Sequence, residues 1–224
     1  MRLHSEAKAQ AYQPSDAMEG PSGKPCGNLG AMETPYVVRS HSAIQTHKEL
    51  SCWTFSHPKK EDMFVQNEAE EVKNERHVEL NFTDDLSSAV GYRCGYGNKD
   101  NTIANIASSV KSDIDRNGSY TLHGFLGTFD CLLYKTNDKK SITISIAPDS
   151  FSTGMYSWFP LFFPLREPLI APFGTNIRCN IWRKSDAKGV WYEWYAEVLD
   201  KKSHEVVGAS YVHNLNGRSS KILL

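Results

Sequence analysis

Gly154-Met-Tyr-Ser-Trp-Phe-Pro-Leu-Phe-Phe-Pro-Leu-Arg-Glu-Pro168 is the stretch on which the fold of this 224-residue chain turns. Tyr156, Trp158, Phe159, Phe162 and Phe163 crowd between prolines that fix φ and remove backbone donors. Pro160 and Pro164 exclude an ordinary helix, and each fits a sheet only at an edge or a bulge. Burying even two such rings is worth about 7–12 kcal/mol as an upper bound. Most of the run is therefore expected in a core, with one or two rings held rigidly at a surface.

Outward from this stretch the chain reads as β-structure. Toward the C-terminus, Ile177–Ile181 alternates, and so does Val190–Val198, with Val190, Tyr192, Trp194, Ala196 and Val198 on an inner side. Val206–His213 and Arg218–Leu224 flank Asn216-Gly217, a hairpin signal. Toward the N-terminus, Ser141–Ile146 alternates strictly, placing Ile142, Ile144 and Ile146 inward, and Tyr120–Phe129 and Asp130–Tyr134 are aromatic-rich, with Gly124 and Gly127 marking a bulge or bend. His77–Phe82 reads as a half-buried strand, and Thr34–Arg39 and Cys52–Phe55 as short ones. Within 84–118, Ile103, Ile106, Ala107, Val110 and Ile114 fall at helical spacing between Asp100-Asn101-Thr102 and Asn117-Gly118, which predicts an inserted amphipathic helix. Leu3–Tyr12 is helix-permissive and runs into Pro/Ser/Gly-rich linker. The expectation is a mainly β chain, an antiparallel β-barrel or sandwich over 34–224 with inserts at about 60–76 and 84–118, preceded by a short helix and flexible linker over 1–33.

Lys+Arg (25) and Asp+Glu (26) nearly cancel, so no whole-chain field draws nucleic acid or an anionic membrane. The longest apolar run, Trp158–Leu165, is far below the roughly 20 residues of a spanning helix. Five cysteines at wide spacing suit neither a disulfide framework nor a Cys₄ zinc site, and Cys52, Cys131 and Cys179 read as buried thiols in an intracellular protein. The histidines form no His-x-x-x-His or carboxylate-backed cluster, so no metal site is expected, and no G-x-S-x-G motif frames a serine. In the Trp191–Tyr195 strand, Trp191 and Tyr195 are left as candidates for an outward aromatic platform for sugars or single strands, against the commoner role of packing.

Taken together, Pro35-Tyr-Val-Val-Arg39, Thr54-Phe-Ser-His-Pro58, Leu122-His-Gly-Phe125, Gly154-Met-Tyr-Ser-Trp-Phe-Pro160, Val190-Trp-Tyr-Glu-Trp194, His213-Asn214 and Gly217-Arg-Ser219 resemble, in order, the C-terminal β-barrel domain of the symmetric (type II) protein arginine methyltransferases. The resemblance covers most of 34–224 and implies transfer of methyl groups from S-adenosylmethionine to arginine, with symmetric dimethylarginine as product. It implies that Tyr156, Ser157, Trp158 and Phe159 wall the substrate arginine. Ser157 stands where asymmetric enzymes place a histidine, leaving room for a methylated nitrogen, and Trp158 offers a cation–π face. Tyr156 departs from the family's phenylalanine. In that family the guanidinium is gripped by two glutamates of the donor-binding domain, as bidentate pairing favours. No such loop and no donor-binding glycine motif precede the β-region here, so cofactor-binding residues are expected to be absent and the chain alone inactive. The resemblance further implies arginine-bearing protein substrates such as histone tails or RNA-binding proteins, a homo-oligomer with an accessory subunit, and a cytoplasmic and nuclear location. The alternative from another class is a non-catalytic β-barrel interaction module or assembly subunit.

Overall fold

The computed structural model describes residues 2–6, 33–38, 43–54, 75–83, 90–92, 118–136, 140–147, 150–155 and 158–223. Three strands each of a dozen residues form its backbone: β10 (Leu161–Pro172), β11 (Thr175–Asp186) and β12 (Gly189–Asp200). The remaining strands are β1 (Arg2–Glu6), β2 (Tyr36–Val37), β3 (Ala43–Gln45), β4 (Leu50–Ser51), β5 (Arg76–Phe82), β6 (Val90–Tyr92), β7 (Ser119–Thr128), β8 (Asp130–Lys135), β9 (Ser141–Ser145), β13 (Val206–Ala209) and β14 (Ile222–Leu223).

All pairings are antiparallel. One sheet runs β2-β10-β7-β1-β3-β6 with β4 on β1, and the second runs β13-β12-β11-β5 with β14 on β12, while β8 and β9 pair only with each other. The two larger sheets share one core. Tyr120, Leu122, Phe125, Phe163 and Leu165 from the first sheet meet Leu80, Phe82, Ile177, Cys179, Ile181, Trp194, Ala196 and Val198 from the second. The rings interlock across the interface. Phe82 stacks on Phe125 at 5.9 Å, and Phe163 meets Tyr192 and Trp194 edge-on at 5.5 and 5.4 Å, arrangements that aromatic quadrupoles favour.

Pro164 lies within β10 where pairing with β7 slips between Pro164 and Leu169, so the bulge expected of an in-strand proline is present. Opposite it, Gly124 lets two backbones touch: a Cβ there would stand 2.4 Å from the Phe163 carbonyl oxygen. Trp194 Nε1 donates to the Pro164 carbonyl at 2.8 Å, which pins the bulge to the second sheet.

Several expectations fail. None of the described sheets closes into a barrel, because β8 and β9 leave as a separate hairpin and the ends of both larger sheets stay open. No α-helix occurs among the described residues. Where the helix was expected from Leu3, Arg2–Glu6 is a strand paired along β7 from Arg2↔Thr128 to Glu6↔Gly124, so tertiary pairing overrides helix-permissive composition. The inserted helix expected over 103–114 lies outside the described residues. Ile142 points into solvent and Ile144 is half-buried, so only Ile146 of that trio is core, because the hairpin projects past the sheets. Cys131 is exposed on the same hairpin, whereas Cys52 is half-buried and Cys179 buried; burial pushes the Cys52 thiol up to about 12 and drives Cys179 up as well. Asn216-Gly217 does turn the chain, but as a short 3₁₀ segment, and the runs on either side both pair with β12 rather than with each other.

Candidate functional site

The sequence sets a loop between β9 and β10, and the structure shows what holds its ends. At the start, Ser145 Oγ donates to Asp130 Oδ1 at 2.5 Å and accepts from Ser150 Oγ and the Ala147 N–H, both at 3.0 Å. One hydroxyl hydrogen and both lone pairs are thereby used. The Ser145 N–H donates to Ser152 Oγ at 3.0 Å, the Ser152 N–H returns to the Ser145 carbonyl at 2.9 Å, and Ile146 N–H reaches the Phe129 carbonyl at 3.1 Å. Gly154 then takes φ +94°, a conformation L side chains rarely adopt. At the far end Pro160 is buried, its carbonyl accepts the Val38 N–H at 3.0 Å, and Phe162 and Phe163 sink into the core.

Between these anchors Trp158 stands 57% exposed, its ring met edge-on by Phe129 at 5.4 Å and 71°. Phe159 is half-buried beside it. Among its described residues the stretch grades from water to core: Trp158 exposed, Phe159 half-buried, Phe162 and Phe163 buried. Tyr156 and Ser157 lie outside the described residues. The indole face of Trp158 can take a cation or a planar group, worth roughly 0.5–2 kcal/mol.

The other aromatic candidates fare differently. Trp191 is only 9% exposed. Lys221 Nζ sits 4.5 Å from its ring centroid, Gly217 lies against it, and its Nε1 donates to the buried Glu193 carboxylate at 2.8 Å. The C-terminal segment folds over Trp191, so it is no open platform. Tyr195 is half-buried and stacks on Trp182 at 5.7 Å, which stacks on His77 at 4.6 Å.

A model of the family described as the PRMT5 oligomerisation domain matches residues 2–222. The chain belongs to that family. It is 34% identical over 184 residues to protein arginine N-methyltransferase 5 of Xenopus laevis, covering 82% of this chain and 22% of that protein. It is 30% identical over 192 residues to protein arginine N-methyltransferase 5 of Oryza sativa subsp. indica, covering 86% and 22%. Protein arginine N-methyltransferase skb1 of Schizosaccharomyces pombe is 28% identical over 201 residues, covering 84% and 26%. The chain thus spans about a quarter or less of the length of these curated relatives.

Pattern reading passed over one feature, the clamp on the C-terminal segment. Glu33 is 4% exposed and takes Arg218 Nε and Nη2 at 2.8 and 2.6 Å, with Ser219 Oγ at 3.2 Å. The guanidinium beside it holds the Glu33 carboxyl below its ordinary value. Asn214 adds a second tie: its Oδ1 accepts the Ser219 and Ser220 N–H groups at 2.9 Å, while Nδ2 donates to the Tyr192 and Ser220 carbonyls. Gly217-Arg-Ser219 is one of the strings that carry the family resemblance, and the buried glutamate upstream gives it a physical task. The serine knot around Ser145 was also missed, although Ser and Asp clustered at a strand end signal side-chain-to-backbone bonding.

Proposed function

We propose that this chain is the substrate-side, oligomerising β-domain of an arginine methyltransferase resembling protein arginine N-methyltransferase 5, acting together with a methyl-donor domain. The observation that carries the proposal is Trp158: a large ring left 57% exposed on a loop tied down at both ends, within the string that resembles the arginine-walling loop of the family. In this reading Tyr156, Ser157, Trp158 and Phe159 wall the guanidinium, Trp158 stacks on it, and Ser157 leaves room for a methyl group, so that symmetric dimethylarginine is formed. Catalytic residues on this chain: none. Membership of a family named for oligomerisation supports a homo-oligomer as the working form.

S-adenosylmethionine is the donor in this reading, and the residues present do not fit it. Trp158 is met edge-on by the apolar ring of Phe129 and followed in sequence by Phe159 and Pro160, and the Asp130 carboxylate beside Phe129 accepts from Ser145 Oγ instead of standing ready for a ribose. No step is therefore routed through the donor on this chain. Its own residues position the arginine and exclude water. Substrates of the histone-tail or RNA-binding-protein kind, an accessory subunit and a cytoplasmic and nuclear location belong to the same proposal.

Two measurements test it. The purified chain transfers no methyl group from radiolabelled S-adenosylmethionine to a histone-tail peptide. Joined to the donor-binding part of the Xenopus laevis relative, it yields symmetric dimethylarginine by mass spectrometry, and Trp158→Ala lowers kcat/KM about tenfold, the weight of one stacked cation. Turnover by the chain alone, or equal losses from Trp158→Ala and the surface change Lys202→Ala, defeats the proposal.

A further inference from the structure

β5 is the last strand in the order of the second sheet, and no strand pairs with its other edge among the described residues. Its side chains alternate, so Leu80 and Phe82 enter the core while His77, Glu79 and Asn81 stand exposed on the outer face. The register sets Trp182 beside His77, and Asn180 between Glu79 and Tyr195. The His77 ring lies on Trp182 at 4.6 Å and 11°, and Trp182 lies on Tyr195 at 5.7 Å and 22°, a three-ring ladder that ends at the sheet edge. His77 has no second ring partner among the described residues, so its face away from Trp182 is open there. Its Nε2–H donates to Asn180 Oδ1 at 3.1 Å, which leaves the Nδ1 lone pair without a partner among the described residues. Asn180 is itself buried and its Nδ2 finds no acceptor, a cost that marks a side chain kept for something besides stability. Glu79 completes the corner. On the same face Lys184 holds Glu193 at 3.1 Å and Arg178 holds Glu197 at 2.6 Å, whereas Glu79 makes no ion pair among the described residues and accepts from Asn81 at 3.1 Å through one oxygen.

We propose that this corner is an accessory site for an arginine side chain of the protein substrate, a second hold on an arginine-rich segment besides the one at Trp158. The inference deepens the function proposed above and rests on its arginine-bearing substrates. The open groups of the corner are acceptors and a ring face: the second oxygen of Glu79, the Nδ1 lone pair of His77 and the free side of its imidazole. A guanidinium is their complement, being flat, positive and rich in donors with no acceptor. Laid on His77 it adds a fourth layer to the ladder. Residues two apart on one strand face stand about 7 Å from each other, so the edge of the stacked group reaches the Glu79 carboxylate. Arg178 and Glu197 neutralise each other beside it, which leaves the corner with the single negative charge of Glu79. That charge repels phosphate, and a phosphate diester offers the acceptors no donor, so nucleic acid is the poorer fit. A lysine ammonium is a point charge that cannot lie flat on a ring. The edge of β5 gives the segment a track, since extended peptides add to open sheet edges.

The test uses the whole 224-residue chain carrying Trp158→Ala, so that the loop contributes no stacking, and follows a fluorescein-labelled glycine–arginine repeat peptide by fluorescence anisotropy. This chain is expected to bind the peptide. Adding Glu79→Gln or His77→Ala, both at exposed positions, is expected to weaken binding at least about fivefold, as is replacing every arginine of the peptide by lysine. Melting curves of the two variants that match the parent show that the loss belongs to the corner and not to the fold. No binding by the Trp158→Ala chain, binding indifferent to both β5 changes, or equal binding of the lysine peptide overturns the inference. The assay needs no methyl donor, which keeps the two proposals apart. Peptide binding that depends on Glu79 and His77, beside a joined enzyme that makes no dimethylarginine, defeats the proposed function alone. An active joined enzyme whose chain binds the peptide without regard to Glu79 and His77 defeats the accessory site alone.

Discussion

Replacing Arg218 by alanine breaks the ion pair that ties the C-terminal segment to the buried carboxylate of Glu33. Glu33 and Arg218 are 185 positions apart, and two charge-assisted bonds of 2.6 and 2.8 Å join them. Bidentate pairs of this kind are the stronger hydrogen bonds of proteins. Breaking a fully buried pair costs roughly 3–5 kcal/mol, since a charge is left without a partner. Here the Arg218 side chain is 54% exposed, and Ser219 remains on the carboxylate, so water offsets part of the loss. The expected effect at pH 7 is a lower urea midpoint at unchanged slope, smaller than the loss from a fully buried pair. The sign with pH follows from the direction of the shift. Arg218 holds the folded Glu33 carboxyl below its ordinary 4.5, so the pair's contribution is complete above pH 4.5 and disappears as pH falls through the lower folded value. In the variant, burial without the arginine favours the protonated acid, so the gap between the two proteins narrows on acidification. Glu33→Gln with Arg218→Ala should cost less than the sum of the two single changes. A destabilisation that stays constant from pH 7 to pH 3, or additive effects in the double variant, would refute the reasoning.

Gly124→Ala forces a Cβ to within 2.4 Å of the Phe163 carbonyl, against backbone that cannot yield cheaply, and should destabilise by about 3 kcal/mol in urea unfolding; a wild-type midpoint would show that the strands separate freely there. Buried His213 accepts the Arg166 N–H at Nε2 (2.9 Å), and burial lowers its pKa from the ordinary 6.5, so stability is complete above about pH 6.5 and declines as pH falls toward the folded value. In His213→Asn that decline should be absent from melting curves between pH 7 and pH 5. Trp158→Ala should change the melting temperature of the chain little, since Trp158 is half in water and meets Phe129 only at an edge, whereas Trp194→Ala should cost about 3–5 kcal/mol. Equal losses would place Trp158 in the core instead of at a recognition surface.

The long strands were legible because they are buried on one face and speak with period two. Leu80 and Phe82 point inward from β5, and Trp194, Ala196 and Val198 do so from β12, as their alternation requires. What misled was local chemistry whose partner lies far off in sequence. Nothing in Arg2–Glu6 announces that β7 will take it as a neighbour, and nothing beside Asn216-Gly217 announces that β12 is long enough to hold β13 at one end and β14 at the other. Trp191 looked open because alternation puts it outside the core. The chain then covers that outer face with Lys221 and Gly217, which sequence patterning along one strand does not register. At the site, exposure of one ring and burial of its successors could be read from the prolines and the excess of aromatic area. The means of holding it could not, because the Ser145 knot joins Asp130, Ser150 and Ser152 through side-chain bonds that only the folded hairpin assembles.

That knot bears on how an exposed tryptophan can act as a wall. An indole on a free loop would lose in ordering what it gains by stacking, since a cation–π contact and the freezing of a few backbone residues are of similar size, roughly 1–2 kcal/mol each. Here the ordering is done on folding. The serine bonds fix one end, the Val38 bond to Pro160 fixes the other, and Phe162 and Phe163 lock the exit into a core that Trp194 clamps through the Pro164 carbonyl. A substitution at Ser145 would therefore leave the sheets intact and the Trp158 ring present. It would move the cost of ordering the loop from folding to substrate binding, raising KM for an arginine peptide in the joined enzyme while the urea midpoint changes by no more than about 1–2 kcal/mol.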